Sequence, residues 1–260
     1  MRLDVFLTEN NYFNSRAKSV EAIKNGLVYV NDKLQDKPSK EVCDTDKVTV
    51  IGELKFVSKG GYKLDKALTQ FNFDVSNMIF ADIGASTGGF TDCLLKRNVK
   101  KVYAVDVGEN QLDSSLLCDR VVVMDNTNAR YLDKTSFCDR LEGIVVDCSF
   151  ISLKLLLPTF DKLLDTSGQL FALIKPQFEC GAKNLTKSGI LKDPKIRLAT
   201  VMDVICEANK YGFFALDICE APKFKDKNIE YVVHFAKNSG QMDTEKIKSL
   251  ILDWNDWYLL

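Results

Sequence analysis

The chain has 260 residues, 46% of them apolar, with 35 basic and 36 acidic residues and a formal net charge of -1. That length can bury one full α/β core plus a small satellite domain. The balanced charge removes net attraction as an argument for a nucleic-acid partner and leaves only local basic patches.

Eight scattered cysteines without a C-x-x-C pair, and a single histidine, His234, argue against a zinc site or any other metal centre. Reduced thiols in a reducing compartment are expected instead. No apolar run reaches membrane-span length and Met1-Arg2-Leu3-Asp4 lacks a signal-peptide pattern, so the expected setting is cytoplasmic, without a membrane partner.

Residues 1–50 open with apolar Leu3, Val5, Phe6 and Leu7. Asn14-Ser15 then caps a helix through Ala17, Val20, Ala22 and Ile23, which Asn25-Gly26 ends. Leu27–Val30 reads as a strand, Asn31-Asp32 as a hairpin turn, Lys33-Leu34 as the return, and Asp46–Ile51 as a further strand. Such a unit buries too little surface to stand alone and is expected as an appended module.

From residue 78 short apolar runs alternate with helical segments. The runs are Met78–Ala81, Val102–Asp106, Val121–Asp125, Gly143–Asp147 and Leu170–Lys175, with Phe213–Ile218 and Ile229–Phe235 as two more. This pattern predicts a buried, mainly parallel sheet in an α/β domain. Sites in such sheets lie beyond the carboxyl ends of the strands. Asp82, Asp106, Asp125, Asp147 and Lys175 gather there, and five in succession favour a shared site over ordinary loop solvation. The apolar tail, Trp254–Leu260, is expected to pack on the core.

The first of these ends carries the most information. Asp82-Ile83-Gly84-Ala85-Ser86-Thr87-Gly88-Gly89-Phe90-Thr91 is a glycine-rich strand-to-helix turn, which lets a ligand approach the backbone. Its spacing is not G-x-G-x-x-G. A strand-closing carboxylate repels a pyrophosphate but suits a cation or an amino group. S-adenosylmethionine carries both a sulfonium and an α-amino group. Asp106 can accept two ribose hydroxyls or can cap a helix. Asp125–Asn128 are weaker candidates for adenine contact, because such residues are common in turns.

Asp147, Lys175 and Glu230 end or approach the fourth, fifth and seventh strands. A buried lysine among carboxylates can position and activate a hydroxyl nucleophile. Each alone reads equally well as a structural ion pair. Cys148 is expected as a small buried thiol, not a nucleophile.

With these residues in place, the chain resembles the TlyA family, ribosomal RNA 2′-O-methyltransferases also called haemolysins. Arg2-Leu3-Asp4, Ser15-Arg16, Gly26-Leu27-Val28 and Val30-Asn31-Asp32 resemble an S4 RNA-binding domain. Val57–Leu64, Asp82–Asp92, Val105–Gly108, Thr127–Arg130, Val146–Leu153 and Lys175–Glu179 follow in the family's order. The resemblance implies a Rossmann-like, S-adenosylmethionine-dependent methyltransferase domain at 65–260. It also implies a small α+β S4-like domain at 1–56 and a linker at 57–64.

Carried over by motif, the catalytic set is Lys63, Asp147, Lys175 and Glu230. Lys175 activates or orients the 2′-hydroxyl, Asp147 and Glu230 adjust its charge, and Lys63 orients the ribose. Donor binding falls to Asp82, Gly84, Ala85, Ser86, Thr87, Gly88, Gly89, Phe90, Asp106, Val107, Asn128 and Asp147. Position 59 is Lys where the family usually has Arg. Lys225-Asp226-Lys227-Asn228 replaces a glycine-containing approach to Glu230.

RNA contact is expected at Arg2, Arg16, Lys18 and Lys24, with Arg2, Arg16 and Lys18 on one face. The partner implied is ribosomal RNA or a ribosomal subunit. The start at Met1-Arg2 favours a large-subunit cytidine over the small subunit. Three rivals stand beside this reading: a non-catalytic ribosome assembly factor, a membrane-active haemolysin, and a nicotinamide-dependent oxidoreductase.

Overall fold

The structure is a computed structural model that describes residues 1–252, apart from residues 25, 44, 53, 223–227, 239 and 241. The helix-ending Asn25, the approach at Lys225–Lys227 and the tail from Trp254 therefore lie outside the described residues. The chain divides into two compact units, Met1–Ser58 and Lys59–Leu260.

In the first unit, α1 (Leu3–Glu9) and α2 (Arg16–Lys24) pack over a three-stranded antiparallel sheet of β1 (Val28–Val30), β2 (Lys33–Leu34) and β3 (Val48–Val50). Ser15 begins α2 as expected, its Oγ accepting the Lys18 N–H at 3.3 Å. Asn31 and Asp32 both adopt left-handed backbone, φ 51° and 60°, which matches the twist of a two-residue hairpin. Leu3, Leu7, Ala22, Ile23, Val28, Val30 and Val42 form its core.

The second unit begins with α3 (Lys59–Gln70), so most of the expected linker at 57–64 is helix. A seven-stranded sheet follows: β4 (Ile79–Ile83), β5 (Lys101–Val105), β6 (Val121–Met124), β7 (Gly143–Val146), β8 (Gln169–Ile174), β9 (Phe213–Glu220) and β10 (Tyr231–Lys237). The order is β6-β5-β4-β7-β8-β10-β9. β4 to β8 are parallel, and β10 runs antiparallel to both β8 and β9.

Short apolar strands buried on both faces need cover on both faces. Here α3 packs with α4 (Gly89–Lys96) on one side. On the other, Phe160 of α5 (Leu157–Leu163) and Val201, Val204 and Ile205 of α7 (Pro194–Asn209) join Ile83, Ile144, Val146, Leu170 and Ile174 in one core. The single turn α6 (Pro176–Glu179) follows β8, and α8 (Thr244–Leu252) follows β10. Edge strand β6 departs from the expected burial, with Val122 and Val123 exposed, because nothing covers a sheet edge as it covers the centre.

Candidate active site

β4 delivers Asp82 to the carboxyl end of the sheet, fully buried. Its Oδ2 accepts the Thr91 hydroxyl at 2.7 Å, and its Oδ1 has no partner. Burial pushes its pKa up to about 7, and the nearby Asp147 charge adds to the rise while Thr91 opposes it. A buried acceptor without a donor is costly, so it suits a ligand that brings one.

The turn beyond it must pass tightly between strands. Gly84 has φ +80°, and a Cβ there would stand 3.0 Å from Cys148 Sγ. Gly88, at φ +89°, starts α4 without any side-chain cap, and a Cβ there would strike Leu112 and Leu116. Ala85, Gly89 and Phe90 are buried around the turn, while Ser86 and Thr87 are exposed at its tip.

Asp106 is no helix cap. One carboxylate oxygen accepts Ser86 N at 2.8 Å and the other accepts Gly108 N at 2.8 Å, so it staples two turns at the mouth. Val107 beside it is exposed. Asn128 accepts Arg130 N at 3.0 Å and caps the short turn Ala129–Tyr131, the ordinary role of such a residue. Its side-chain oxygen is thereby used within the fold.

The hydroxyl-activating candidates do converge. Lys175 Nζ lies 2.6 Å from Asp147 Oδ1, 2.8 Å from Ser149 Oγ and 3.3 Å from Asp147 O. Lys63 Nζ lies 2.7 Å from Glu230 Oε2 and 4.0 Å from Asp147 Oδ2. The register explains the meeting: Tyr231 pairs with Ile174, which sets Glu230 beside Lys175 one step further out. Lys63 comes from the first turns of α3, where a Cβ on Gly60 would stand 3.5 Å from Asp147 Oδ2.

Glu230 is engaged by Lys63 and by Gln177, whose Nε2 donates to Glu230 Oε1 at 3.0 Å. Its side-chain contacts are thus with Lys63 and Gln177. The five groups Lys175, Asp147, Lys63, Glu230 and Gln177 form a chain that starts and ends two residues apart.

Ser149 and Gln177 lie inside the quoted motifs, yet no local pattern marks them as site residues. Phe150 is also unmarked. It is 90% exposed, has a strained φ of +64°, and tilts against Phe178 at 5.1 Å between ring centres. A solvent-facing ring offers a flat surface on which a planar group can stack. Cys148 is no nucleophile, because burial pushes its thiol up to about 12. Among the described residues no cluster of three or more His, Cys, Asp or Glu is arranged to hold a metal, and no helix is long and apolar enough to cross a membrane.

In the first unit, Arg2 Nε and Arg16 Nε reach the buried Asp4 carboxylate at 3.0 and 2.9 Å. Hydrogen bonding to Arg2, then Arg16, holds the Asp4 carboxyl down to about 2. The two guanidiniums therefore share one face. Lys18 does not join them by helix geometry, since two residues turn α2 by about 200°. Lys24 is exposed in the last turn of α2.

Comparison with known proteins agrees with this geometry. The FtsJ-like methyltransferase model matches residues 56–237 and the S4 domain model matches residues 1–48. The chain is 43% identical to the rRNA methyltransferase candidate YqxC of Bacillus subtilis, over 90% of this chain and 84% of that protein. It is 37% identical to the 16S/23S rRNA (cytidine-2′-O)-methyltransferase TlyA of Mycobacterium tuberculosis, over 88% and 87%. It is 33% identical to the 23S rRNA (cytidine-2′-O)-methyltransferase TlyA of Campylobacter jejuni, over 92% and 100%. The solved structure of a hemolysin candidate from Streptococcus thermophilus superposes with a TM-score of 0.76 at 39% identity, covering 97% of this chain and 94% of that one. The chain belongs to the TlyA family, joining an S4 domain to an FtsJ-like methyltransferase domain.

Proposed function

We propose that this enzyme methylates the 2′-hydroxyl of a cytidine in ribosomal RNA, with S-adenosylmethionine as methyl donor. The observation that carries the reading is the buried Lys175–Asp147–Lys63–Glu230 chain at the carboxyl end of the sheet, in the same site as the unpartnered Asp82 carboxylate oxygen. Both TlyA relatives with a named activity act on 23S RNA, which supports the large subunit as the first substrate to test. A ribosomal substrate also implies a cytoplasmic setting.

The residues fit the donor. Asp82 Oδ1 suits its amino group, the Gly84–Gly88 turn admits its backbone-hugging chain, and Asp106 suits its ribose once Ser86 or Gly108 gives way. When bound, the donor supplies a methyl group on a sulfonium, open to in-line displacement.

The protein's part is to hold the accepting oxygen. Lys175 donates to Ser149 Oγ and Asp147 O and forms an ion pair with Asp147 Oδ1 at 2.6 Å. These contacts support Lys175 as a donor that steers the 2′-oxygen. The exposed Ser149 hydroxyl occupies the position that a substrate hydroxyl can take over. Asp147 keeps Lys175 in place and offers Oδ2 as the nearest acceptor for the proton that the hydroxyl sheds. Lys63, fixed by Glu230, lies 4.0 Å from that Oδ2 and helps to hold the carboxylate in place.

The test is transfer of labelled methyl from S-adenosylmethionine to separated, unmodified ribosomal subunits, comparing the native chain with Lys175→Ala. The expected result is an alkali-resistant label at one large-subunit cytidine, lost in the variant. No label on either subunit, despite measured donor binding, would overturn the enzyme reading and leave the assembly factor in its place.

A further inference from the structure

Much of the cationic surface of the second unit is paired. Arg97 meets Asp65 at 2.8 Å, Lys154 meets Asp203 at 2.6 Å, Lys210 meets Glu207 at 2.7 Å and Lys237 meets Asp161 at 2.6 Å. Residues 181–195 break that habit. Lys183, Lys187, Lys192 and Lys195 are all exposed, and none has an ion-pair partner among the described residues. The one acid in the stretch, Asp193, is spent as the cap of α7, accepting the N–H groups of Lys195 and Ile196. Like charges left uncompensated in one place concentrate a positive potential there.

The middle of the stretch, residues 186–190, is a built hairpin, with Lys183 in the short turn Ala182–Asn184 before it and Lys195 in the first turn of α7 after it. Thr186 N donates to Ile190 O at 3.0 Å, Gly189 N donates to Thr186 O at 2.9 Å, and Thr186 Oγ1 accepts Ile190 N at 3.0 Å. Asn228 clamps it from outside: its Nδ2 donates to Gly189 O at 2.9 Å and its Oδ1 accepts Leu191 N at 2.8 Å. Asn228 stands two residues before Glu230, and the hairpin leaves α6 shortly after Lys175. The lysines therefore lie on the segment that follows Lys175, tied by Asn228 to the segment that carries Glu230. Their outer side is open: a Cβ on Gly181 or Gly189 would meet nothing within 4 Å.

We propose that the stretch from Lys183 to Lys195, built around this hairpin, is a phosphate clamp, with Lys183, Lys187, Lys192 and Lys195 gripping the RNA backbone beside the target nucleotide. Phosphate contacts set register and orientation without reading bases. A clamp tied to Asn228 holds the backbone at a fixed distance from Glu230 and Lys175. The inference rests on the ribosomal RNA reading above. It adds a docking surface to the catalytic domain that is separate from the arginines of the S4 domain.

The test uses the full chain and transcribed, unmodified large-subunit ribosomal RNA. Affinity is measured across salt concentrations for the native protein and for a variant with all four lysines changed to Gln. The expected result is binding weaker by about tenfold or more near 0.15 M salt, and a log-log salt slope shallower by roughly two to three. S-adenosylmethionine affinity should stay native, and so should the rate at saturating RNA.

A four-site Lys→Arg variant should bind as the native chain does, which separates charge from folding. Lys100→Gln with Lys162→Gln, at the opposite end of the sheet, should change nothing. Native affinity and slope in the four-site Gln variant would overturn the clamp, even with methyl transfer intact. Salt-steep, lysine-dependent binding without any methyl transfer would uphold the clamp and sink the methylation reading. RNA binding that is absent from the native chain would overturn both.

Discussion

Asp4 in the first unit and Asp147 in the second each stand between two cations. Around Asp4 the carboxylate is hidden, at 1% exposure, while Arg2 and Arg16 are 47% and 58% exposed. Around Asp147 the order is inverted: the carboxylate is 20% exposed, and Lys175 and Lys63 only 8% and 14%. One acid with two bases is thus used in two ways. Around the buried acid, Arg2 grips both carboxylate oxygens through Nε and Nη2, and both guanidiniums keep about half of their surface in solvent. Buried ammonium groups have lost most of their water, so their pull on a nearby oxygen is less screened. The two clusters thus differ in which partner is turned to solvent.

The sharpest way to break this contrast is to remove one cation from each set. Lys175→Ala should lower methyl transfer by about a thousandfold or more at saturating substrate. Arg16→Ala should raise KM for RNA and leave kcat near native. A loss of kcat in Arg16→Ala, measured by the same labelled transfer, would erase the distinction.

Asp82 sharpens it as a third carboxylate, buried with no cation at all. With its pKa near 7 when free, it must lose a proton to receive a cationic ligand. S-adenosylmethionine affinity should therefore climb as pH rises and level off above about 7. Below that it should fall by up to about tenfold per pH unit. Titration calorimetry should show the slope in the native chain and a flat profile in Asp82→Asn.

Asp4 gives a smaller effect with a different window. Its folded pKa of about 2 lies below its ordinary 3.8, so its contribution to stability is complete above about pH 4 and is lost as pH falls towards 2. Because both guanidiniums are half-exposed, that contribution is discounted to about 1 kcal/mol. Urea unfolding of the native chain and Asp4→Asn should differ at pH 7 and converge near pH 2. A gap that persists at pH 2 would assign the loss to packing.

The smallest effect is expected at Gln177→Leu, which frees Glu230 Oε1. A loss of about threefold to tenfold in kcat, with native donor affinity, is the expected result. An unchanged kcat would remove Gln177 from the chain of contacts.

Much of this was legible along the chain. Each apolar run became a strand, since a strand buried on both faces has to be continuously apolar. The helix at Leu3–Glu9 left only its apolar positions, because seven residues are too few for a clear period. The insertion of β10 between β8 and β9 had no local sign, as pairing order is set by contacts far apart in sequence.

The same limit applies to the site. Asp82 and Asp106 stand at strand ends that any α/β pattern exposes. The partner of Glu230 is 167 residues away, and no spacing rule connects it with Lys63. The structure brings the four residues named by motif together, with Glu230 in contact with Lys63.

The antiparallel course of β10 has one more consequence, in the order of synthesis. A ribosome making this chain releases Lys63, Asp147 and Lys175 long before Glu230. β9 emerges before the strand that must lie between it and β8. The five-residue active-site chain can close only after the last hairpin of the sheet has been threaded into place. Until then Lys63 has no Glu230 to hold it, even in a nascent chain whose Gly84–Gly89 turn has already formed.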